Sequence, residues 1–270
     1  MPLVASPRRI VTLNLWQEQG PWERRVALTA ERLAALAPDV VCLQEVRQVP
    51  GRVPNQAQTL ATALGMDFTF EAAQPWGGGD EGLAILTRGR ILERRFSPLP
   101  GPDEQTRRLV LGACLALPGG TPRWCFTTHL AYRLTEGAVR ERQVQAVDRF
   151  VHDCSDGPAL LCGDFNAVPE SDEIRYLTGL TSLDGARTYY QDAFALCHPG
   201  ERGWTWSSDN PYTPQLSTLP ADRRLDYIFV TQRRKDGSGR ILRCELALHE
   251  PDAEGVHCSD HHAVVADVVL

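Results

Sequence analysis

The chain has 270 residues, 43% hydrophobic and 23% charged, with a formal net charge of -6. That composition excludes a mainly disordered chain. The acidic balance argues against a dedicated nucleic-acid binder, which carries a basic excess or stripe. No stretch approaches the ~20 apolar residues of a membrane span, and the N-terminus lacks the apolar core of a signal peptide.

In chain order, residues 9–15 alternate toward a strand that ends at Asn14. Trp22–Leu36 is predicted as an amphipathic helix, with Val26, Leu28, Leu33 and Leu36 inside and Glu23, Arg24, Arg25, Glu31 and Arg32 on the solvent side. Pro38 ends it. Residues 39–46 form a near-continuous apolar strand delivering Glu45 at its end. Gln56–Leu64 is a second helix, closed by Gly65. Strands follow at 68–70, 82–87, 91–96, 108–117 and 123–130, punctuated by Gly77-Gly78-Gly79, Pro100-Gly101-Pro102 and Pro118-Gly119-Gly120. A helix over 137–151 leads to a strand over 158–163. Strands at 225–231 and 241–248 flank a Lys235-Asp236-Gly237-Ser238 turn, read as a hairpin, and the last strand covers 262–269. Two β-rich layers with helices outside would bury this many strands, and no linker divides residues 1–270 into separate domains. The loop over 200–224, with Trp204, Trp206 and Tyr212, is long enough to be functional or mobile.

Eight cysteines occur without a Cys-x-x-Cys pair. Cys42, Cys114, Cys125 and Cys162 lie in apolar strands, where a thiol packs as a small hydrophobe. Free thiols and the unremarkable N-terminus predict a reducing, cytoplasmic setting.

Polar motifs interrupt the apolar runs at their ends. Asp164 and Asn166 follow Leu160-Leu161-Cys162-Gly163; in extended geometry residues two apart face the same way, and Gly163 lets the chain bend. Glu45 ends a buried strand, where a carboxylate must be paired, hydrated or metal-bound. Asp226 sits in an apolar run and needs a partner, for which His261 is the natural candidate. Asn14 could hold a phosphate oxygen or orient a carboxylate, and His129 is a strand histidine. The run His257-Cys258-Ser259-Asp260-His261-His262 invites a zinc reading, but ligand pairs at helical or knuckle spacing are absent. Carboxylates, amides and imidazoles together can hold a hard cation, polarise a phosphate and move protons.

The ordered set Asn14, Gln44-Glu45, Thr128-His129, Gly163-Asp164-Phe165-Asn166, Leu225-Asp226-Tyr227 and Ser259-Asp260-His261 resembles the endonuclease/exonuclease/phosphatase superfamily. The match spans nearly the whole chain. The resemblance implies a DNase I-like α/β fold: a four-layer α/β/β/α sandwich of two mixed β-sheets packed face to face, with helices outside. It implies a Mg²⁺-dependent phosphoester hydrolase, with Mn²⁺ as a possible substitute. Glu45 would be the principal metal ligand, with Asn14 beside it and Asp260 completing the metal environment. Asp164 and Asn166 would orient the attacking water and hold the phosphate. Asp226 would pair with His261, the general base or phosphate contact. His129 would contact the phosphate or assist the leaving group, with Glu81, or the adjacent Asp80 in its place, supporting it.

Thr127-Thr128-His129-Leu130 argues against the exonuclease III-like abasic-site branch. Gly203-Trp204-Thr205-Trp206 ahead of Arg223-Arg224 is similar to bacterial members and, faintly, to tyrosyl-DNA phosphodiesterases. Trp204, Trp206 and Arg108 are candidate substrate contacts. The substrate stays open between small or lipid-like phosphoesters and nucleic acid, for which Arg107, Arg108, Arg133, Arg140 and Arg142 could line a groove. A non-catalytic scaffold is the remote alternative. Nothing in the sequence points to a partner protein.

Overall fold

The computed structural model describes residues 7–101, 107–213 and 222–270. Residues 1–6, residues 102–106 with Pro102 of the Pro100-Gly101-Pro102 stretch, and residues 214–221 of the long loop lie outside them. The chain runs through β1 (Pro7–Asn14), α1 (Trp22–Leu36), β2 (Val40–Gln48), α2 (Gln56–Leu64), β3 (Asp67–Trp76), β4 (Gly79–Thr87), β5 (Arg90–Leu99), β6 (Arg108–Ala116) and β7 (Arg123–His129). A short 3-10 turn (Leu134–Glu136) then leads into α3 (Gly137–Cys154), β8 (Leu160–Asp164), α4 (Asp172–Leu177), β9 (Gln191–Asp192), α5 (Ala193–Cys197), β10 (Asp226–Val230), β11 (Ile241–Ala247) and β12 (Ala263–Val269). One sheet has the order β11-β12-β1-β2-β4-β3 and the other β5-β6-β7-β8-β10-β9. Each contains one parallel pair, β1 with β2 and β7 with β8, among antiparallel neighbours. Both sheets are therefore mixed, as the family resemblance implied.

Strand alternation sorts the apolar residues into three layers of core. Ile10, Val40, Cys42 and Ile85 from the first sheet meet Leu111, Ala113, Cys125, Cys162 and Ile228 from the second. The opposite faces of the same strands, Val11, Leu13, Val41 and Leu43, pack against Leu33 of α1 and Ala57 and Leu60 of α2. Val110, Phe126, Leu161 and Phe229 pack against Val144, Val147 and Val151 of α3. Burial on both faces explains why the central strands read as continuous apolar runs. The result is the α/β/β/α sandwich. All eight cysteines are free, with Cys42 and Cys125 facing each other across the two sheets at 3.5 Å between sulfurs.

Helix ends follow the local chemistry. The Asn55 side chain accepts from the Gln58 amide at the start of α2, and Gly65 takes a left-handed conformation at its end. The 235–238 turn departs from the expected hairpin. β10 and β11 belong to different sheets, so the turn crosses between them. Two strands joined by a short turn read as a hairpin, but β10 finds β8 and β9 as partners and β11 finds β12. Three short elements, α4, β9 and α5, went unread because two to six residues hold too little periodicity.

Gly163 has φ 144°, and a Cβ there would overlap the Thr128 carbonyl on β7. Gly163→Ala is therefore expected to lower stability by about 2 kcal/mol or more. Urea unfolding reads this directly; an unchanged midpoint contradicts the close β7–β8 approach.

Candidate active site

Sheet directions bring the polar motifs to one end of the sandwich. β1 and β2 run in parallel, with Asn14 beside Gln44, and β7 and β8 run in parallel, with His129 beside Asp164. β10 is antiparallel to β8 and starts with Asp226 opposite Asp164. β12 is antiparallel to β1, so the Ser259-Asp260-His261 segment just before it arrives at the end where β1 finishes. Glu45 stands at a register shift between Leu43 and Val46, with φ 51°. A non-glycine residue in the left-handed region is uncommon and concentrates at functional sites.

Asp164 is the hub. Its Oδ2 accepts from Asn14 Nδ2 at 3.0 Å and lies 3.5 Å from His129 Nε2 and 3.8 Å from His261 Nε2. Its Oδ1 accepts the Asn166 amide at 2.9 Å. This last bond makes an Asx turn, and Asn166 sits at φ 50°. The extended geometry expected for the Asp164/Asn166 pair is thus replaced by a turn. The Asn166 amide group donates to the Leu130 carbonyl at 3.2 Å, which ties the β7 and β8 exits together. Asn14 is similarly occupied: its Oδ1 accepts from the Trp16 amide at 2.9 Å while its nitrogen orients Asp164.

His261 Nδ1 meets Asp226 Oδ2 at 2.8 Å. Thr205 Oγ1 accepts the Leu225 and Asp226 amides, fixing the start of β10. Burial alone would depress the His261 pKa, but Asp226, Asp260 and Asp164 surround it and raise it well above the usual histidine value. His129 differs. Burial first, then Arg108 and His261, hold its pKa well below the ordinary value, and its Nε2 is 3.9 Å from Glu45 Oε1.

The carboxylates crowd each other. Burial, followed by Glu81 and Asp260, pushes Glu45 up to about 8. Burial and Asp226 push Asp164 up to about 6. Asp260 is raised by burial against the opposing pull of His261. Asp226 Oδ1 is buried and has no hydrogen-bond partner, and the Asp164, Asp226 and His261 ligand atoms lie within 4.8 Å of one another. Such an oxygen-rich, donor-poor cluster fits a hard divalent cation.

Glu81 does not reach His129 directly. Its Oε1 is 3.5 Å from Arg108 Nη1, and Arg108 Nη1 stands 2.9 Å from His129 Nδ1. Arg108 is buried there rather than lining an open groove. Arg140 is also buried, paired with Glu173 at 2.7 Å, while Arg133 pairs with Glu136. The arginine groove drawn from the sequence therefore loses two of its members to internal ion pairs. Trp204 faces a cavity of about 630 Å³ that includes Phe194, His249 and His262 but not Glu45, His129, Asp164, Asp226 or His261. Trp206 pairs its backbone with Arg223.

Several contributors had no sequence signal. Arg25, assigned to the solvent face of α1, is buried instead. Its guanidinium donates to the carbonyls of Leu15, Trp16, Gln17, Gln19 and Cys258, pinning the loop after Asn14 to the segment before Asp260. Carbonyls far apart in sequence supply the compensation, so no pattern announces it. Arg47, also buried, pairs with Glu18 and donates to the Asp80 carbonyl, bracing the Glu45 bulge. In the long loop, Asn210 and Thr213 donate to the Ser259 and Asp260 carbonyls, so this part of it buttresses the site. Tyr132, three residues after His129, is exposed with its ring beside Arg108 and Arg133.

Known proteins resemble this chain in sequence and fold. Nocturnin of Rattus norvegicus is 26% identical over 267 residues, covering 91% of this chain and 58% of the relative. Nocturnin of Xenopus laevis is 28% identical over 274 residues, covering 91% of this chain and 64% of the relative. The chain thus spans about three-fifths of the length of these relatives. The structure of the human Nocturnin catalytic domain with bound sulfate anion superposes with TM-score 0.70 at 24% identity, covering 97% of this chain and 93% of that one. The D. rerio TDP2 structure complexed with single strand DNA product gives 0.74 at 21% identity, covering 97% and 98%. The profile of the Endonuclease/Exonuclease/phosphatase family matches residues 11–261, from β1 to the His261 that pairs with Asp226. With the sandwich and the convergent strand ends, that match makes this chain a member of the Endonuclease/Exonuclease/phosphatase family.

Proposed function

We propose that this chain is a divalent-cation-dependent phosphoester hydrolase acting on phosphodiesters, with Mg²⁺ as its ion and Mn²⁺ as a substitute. The observation that carries the reading is the acid cluster of Glu45, Asp164, Asp226 and Asp260 around two buried imidazoles. Glu45 and Asp260 would hold the ion, with the free lone pair of Asn14 Oδ1 beside them. When bound, a divalent ion neutralises charge growing on the phosphate oxygens.

The protein groups supply the rest. Asp164 is fixed by Asn14 and the Asn166 amide. A carboxylate near 6 is ionised at neutral pH yet basic enough to take a proton from water as its oxygen attacks phosphorus. The bond from phosphorus to the ester oxygen breaks on the opposite side. His261, anchored and charged by Asp226, directs Nε2–H toward the phosphate. His129 offers its Nε2 from the neighbouring strand. Fixed donors of this kind act without reorganisation.

The internal ion pairs of Arg108 and Arg140 and the acidic net charge favour a compact diester over a long polyanion. Hydrolysis of single-stranded nucleic acid is the second reading, motivated by the fold shared with the DNA-bound TDP2 structure.

Asp164→Asn and His261→Ala are each expected to reduce kcat on an aryl phosphodiester by about 10²–10³, with thermal unfolding near wild type. Undiminished turnover in both variants contradicts the assignment.

Protonation generates a second prediction. The folded pKa values of Glu45 and Asp164 are raised, so the cation-free native state binds protons that the unfolded chain has released. This contribution to stability is complete below about pH 4 and is lost as pH rises through about 6 and about 8. A bound divalent ion compensates what deprotonation exposes. The rise in melting temperature on adding Mg²⁺ is therefore expected to be larger at pH 8 than at pH 5.5. Equal shifts at both values contradict ion binding by these acids.

Substrate class separates by salt. Turnover of a compact diester is expected to vary little with NaCl, whereas KM for an oligonucleotide that used a phosphate-tracking groove would rise steeply.

A further inference from the structure

His129 and His261 present Nε2 to the same carboxylate, yet their Nδ1 atoms meet opposite chemistry. His261 Nδ1 faces a carboxylate oxygen of Asp226 at 2.8 Å. An oxygen there accepts, so the hydrogen sits on Nδ1. His129 Nδ1 faces the Arg108 guanidinium at 2.9 Å. A guanidinium has five donors and no acceptor, and it does not deprotonate in proteins. Only the bare lone pair of Nδ1 can face it, which leaves the ring hydrogen on Nε2.

The arrangement is built. Arg108 comes from β6, the antiparallel neighbour of the β7 strand that ends in His129. Both side chains are about 95% buried, at 5% and 4% exposure. The same nitrogen, Arg108 Nη1, lies 3.5 Å from Oε1 of Glu81, whose Oε2 accepts from Gln17 at 2.7 Å and Gln74 at 3.3 Å. Tyr132 covers the guanidinium, with its ring centroid 5.9 Å away.

We infer that Arg108 is a positioning residue that fixes His129 in its Nε2–H tautomer, with Glu81 anchoring Arg108 rather than the imidazole. The inference rests on the hydrolase reading for its catalytic meaning: His129 then donates a hydrogen bond to the substrate phosphate and does not shuttle a proton. The two histidines divide the work. His261, backed by a carboxylate, can hold two ring protons; His129, backed by a cation, holds one, at the atom facing Asp164 and Glu45. The direction of the His129 pKa, set by burial and then Arg108, agrees.

The test is a long-range ¹H–¹⁵N correlation spectrum of the histidine rings in the full chain with Mg²⁺, with His129 assigned by its loss in His129→Gln. Nδ1 is expected to resonate as an unprotonated ring nitrogen and Nε2 as a protonated one between pH 6 and 8. A protonated Nδ1, or an averaged signal from both tautomers, overturns the inference without any variant of Arg108 being needed. Arg108→Met should then mix the tautomers and lower kcat on an aryl phosphodiester about 10–100-fold with a smaller change in KM. Arg108→Lys, which keeps a cationic donor, should recover part of the loss. Wild-type spectra and wild-type kcat in Arg108→Met would overturn it. The spectrum stands apart from turnover: a wild-type chain showing the Nε2–H tautomer but hydrolysing no phosphoester refutes the hydrolase reading and leaves the role of Arg108 intact.

Discussion

Four carboxylates, Glu45, Asp164, Asp226 and Asp260, are brought together where the strands of two packed sheets end; the three aspartates are buried and Glu45 is partly so. Their mutual repulsion is the constraint the rest of the site answers. Glu45 and Asp164 are pushed far above ordinary carboxylate values by burial and by each other's neighbours. Such a cluster persists only if cations or protons balance it. Within the chain, His261 carries one balancing charge, and Arg25 brings another toward Asp260 from α1. On the proposed reading, a divalent ion would answer the remaining imbalance.

Strand direction converts that constraint into geometry. The two parallel pairs, β1 with β2 and β7 with β8, put Asn14, Glu45, His129 and Asp164 at the same end. The antiparallel partners β10 and β12 bring Asp226 and His261 to meet them. Left-handed backbone at Glu45 and Asn166 turns their side chains out of the strand alternation, a local cost held by surrounding bonds. Arg47 braces the Glu45 bulge through Glu18 and the Asp80 carbonyl. Arg25 ties the loops beyond β1 and before β12 through five carbonyls. These buried arginines act as struts: Arg25 spends its donors on backbone carbonyls, and Arg47 spends its own on Glu18 and the Asp80 carbonyl.

Much of this was legible in the sequence because it depends on local order. Helix α1 and α2 were bounded by Pro38 and by Gly65, and the strands announced themselves as apolar runs broken by polar ends. The His261–Asp226 pair was legible because an acid inside Leu225-Asp226-Tyr227-Ile228 must find a partner. What stayed hidden depends on contacts between distant segments. Arg25 reads as a surface charge until Cys258 and the loop after Asn14 close over it. Arg108 reads as a groove residue until β6 sets it against His129. The turn at 235–238 reads as a hairpin until its flanking strands choose different sheets. Glu81 was picked as support for His129, but its carboxylate stops at Arg108, because nothing in the spacing says which side chain lies between them.

Binding of Mn²⁺ followed by electron paramagnetic resonance, on wild type and on Glu45→Gln, decides whether these acids form one divalent-cation site. A saturable site is expected in the wild-type chain, competed by Mg²⁺ and lost or greatly weakened in Glu45→Gln. Equal binding by both proteins, or no saturable binding by the wild type, would contradict such a site.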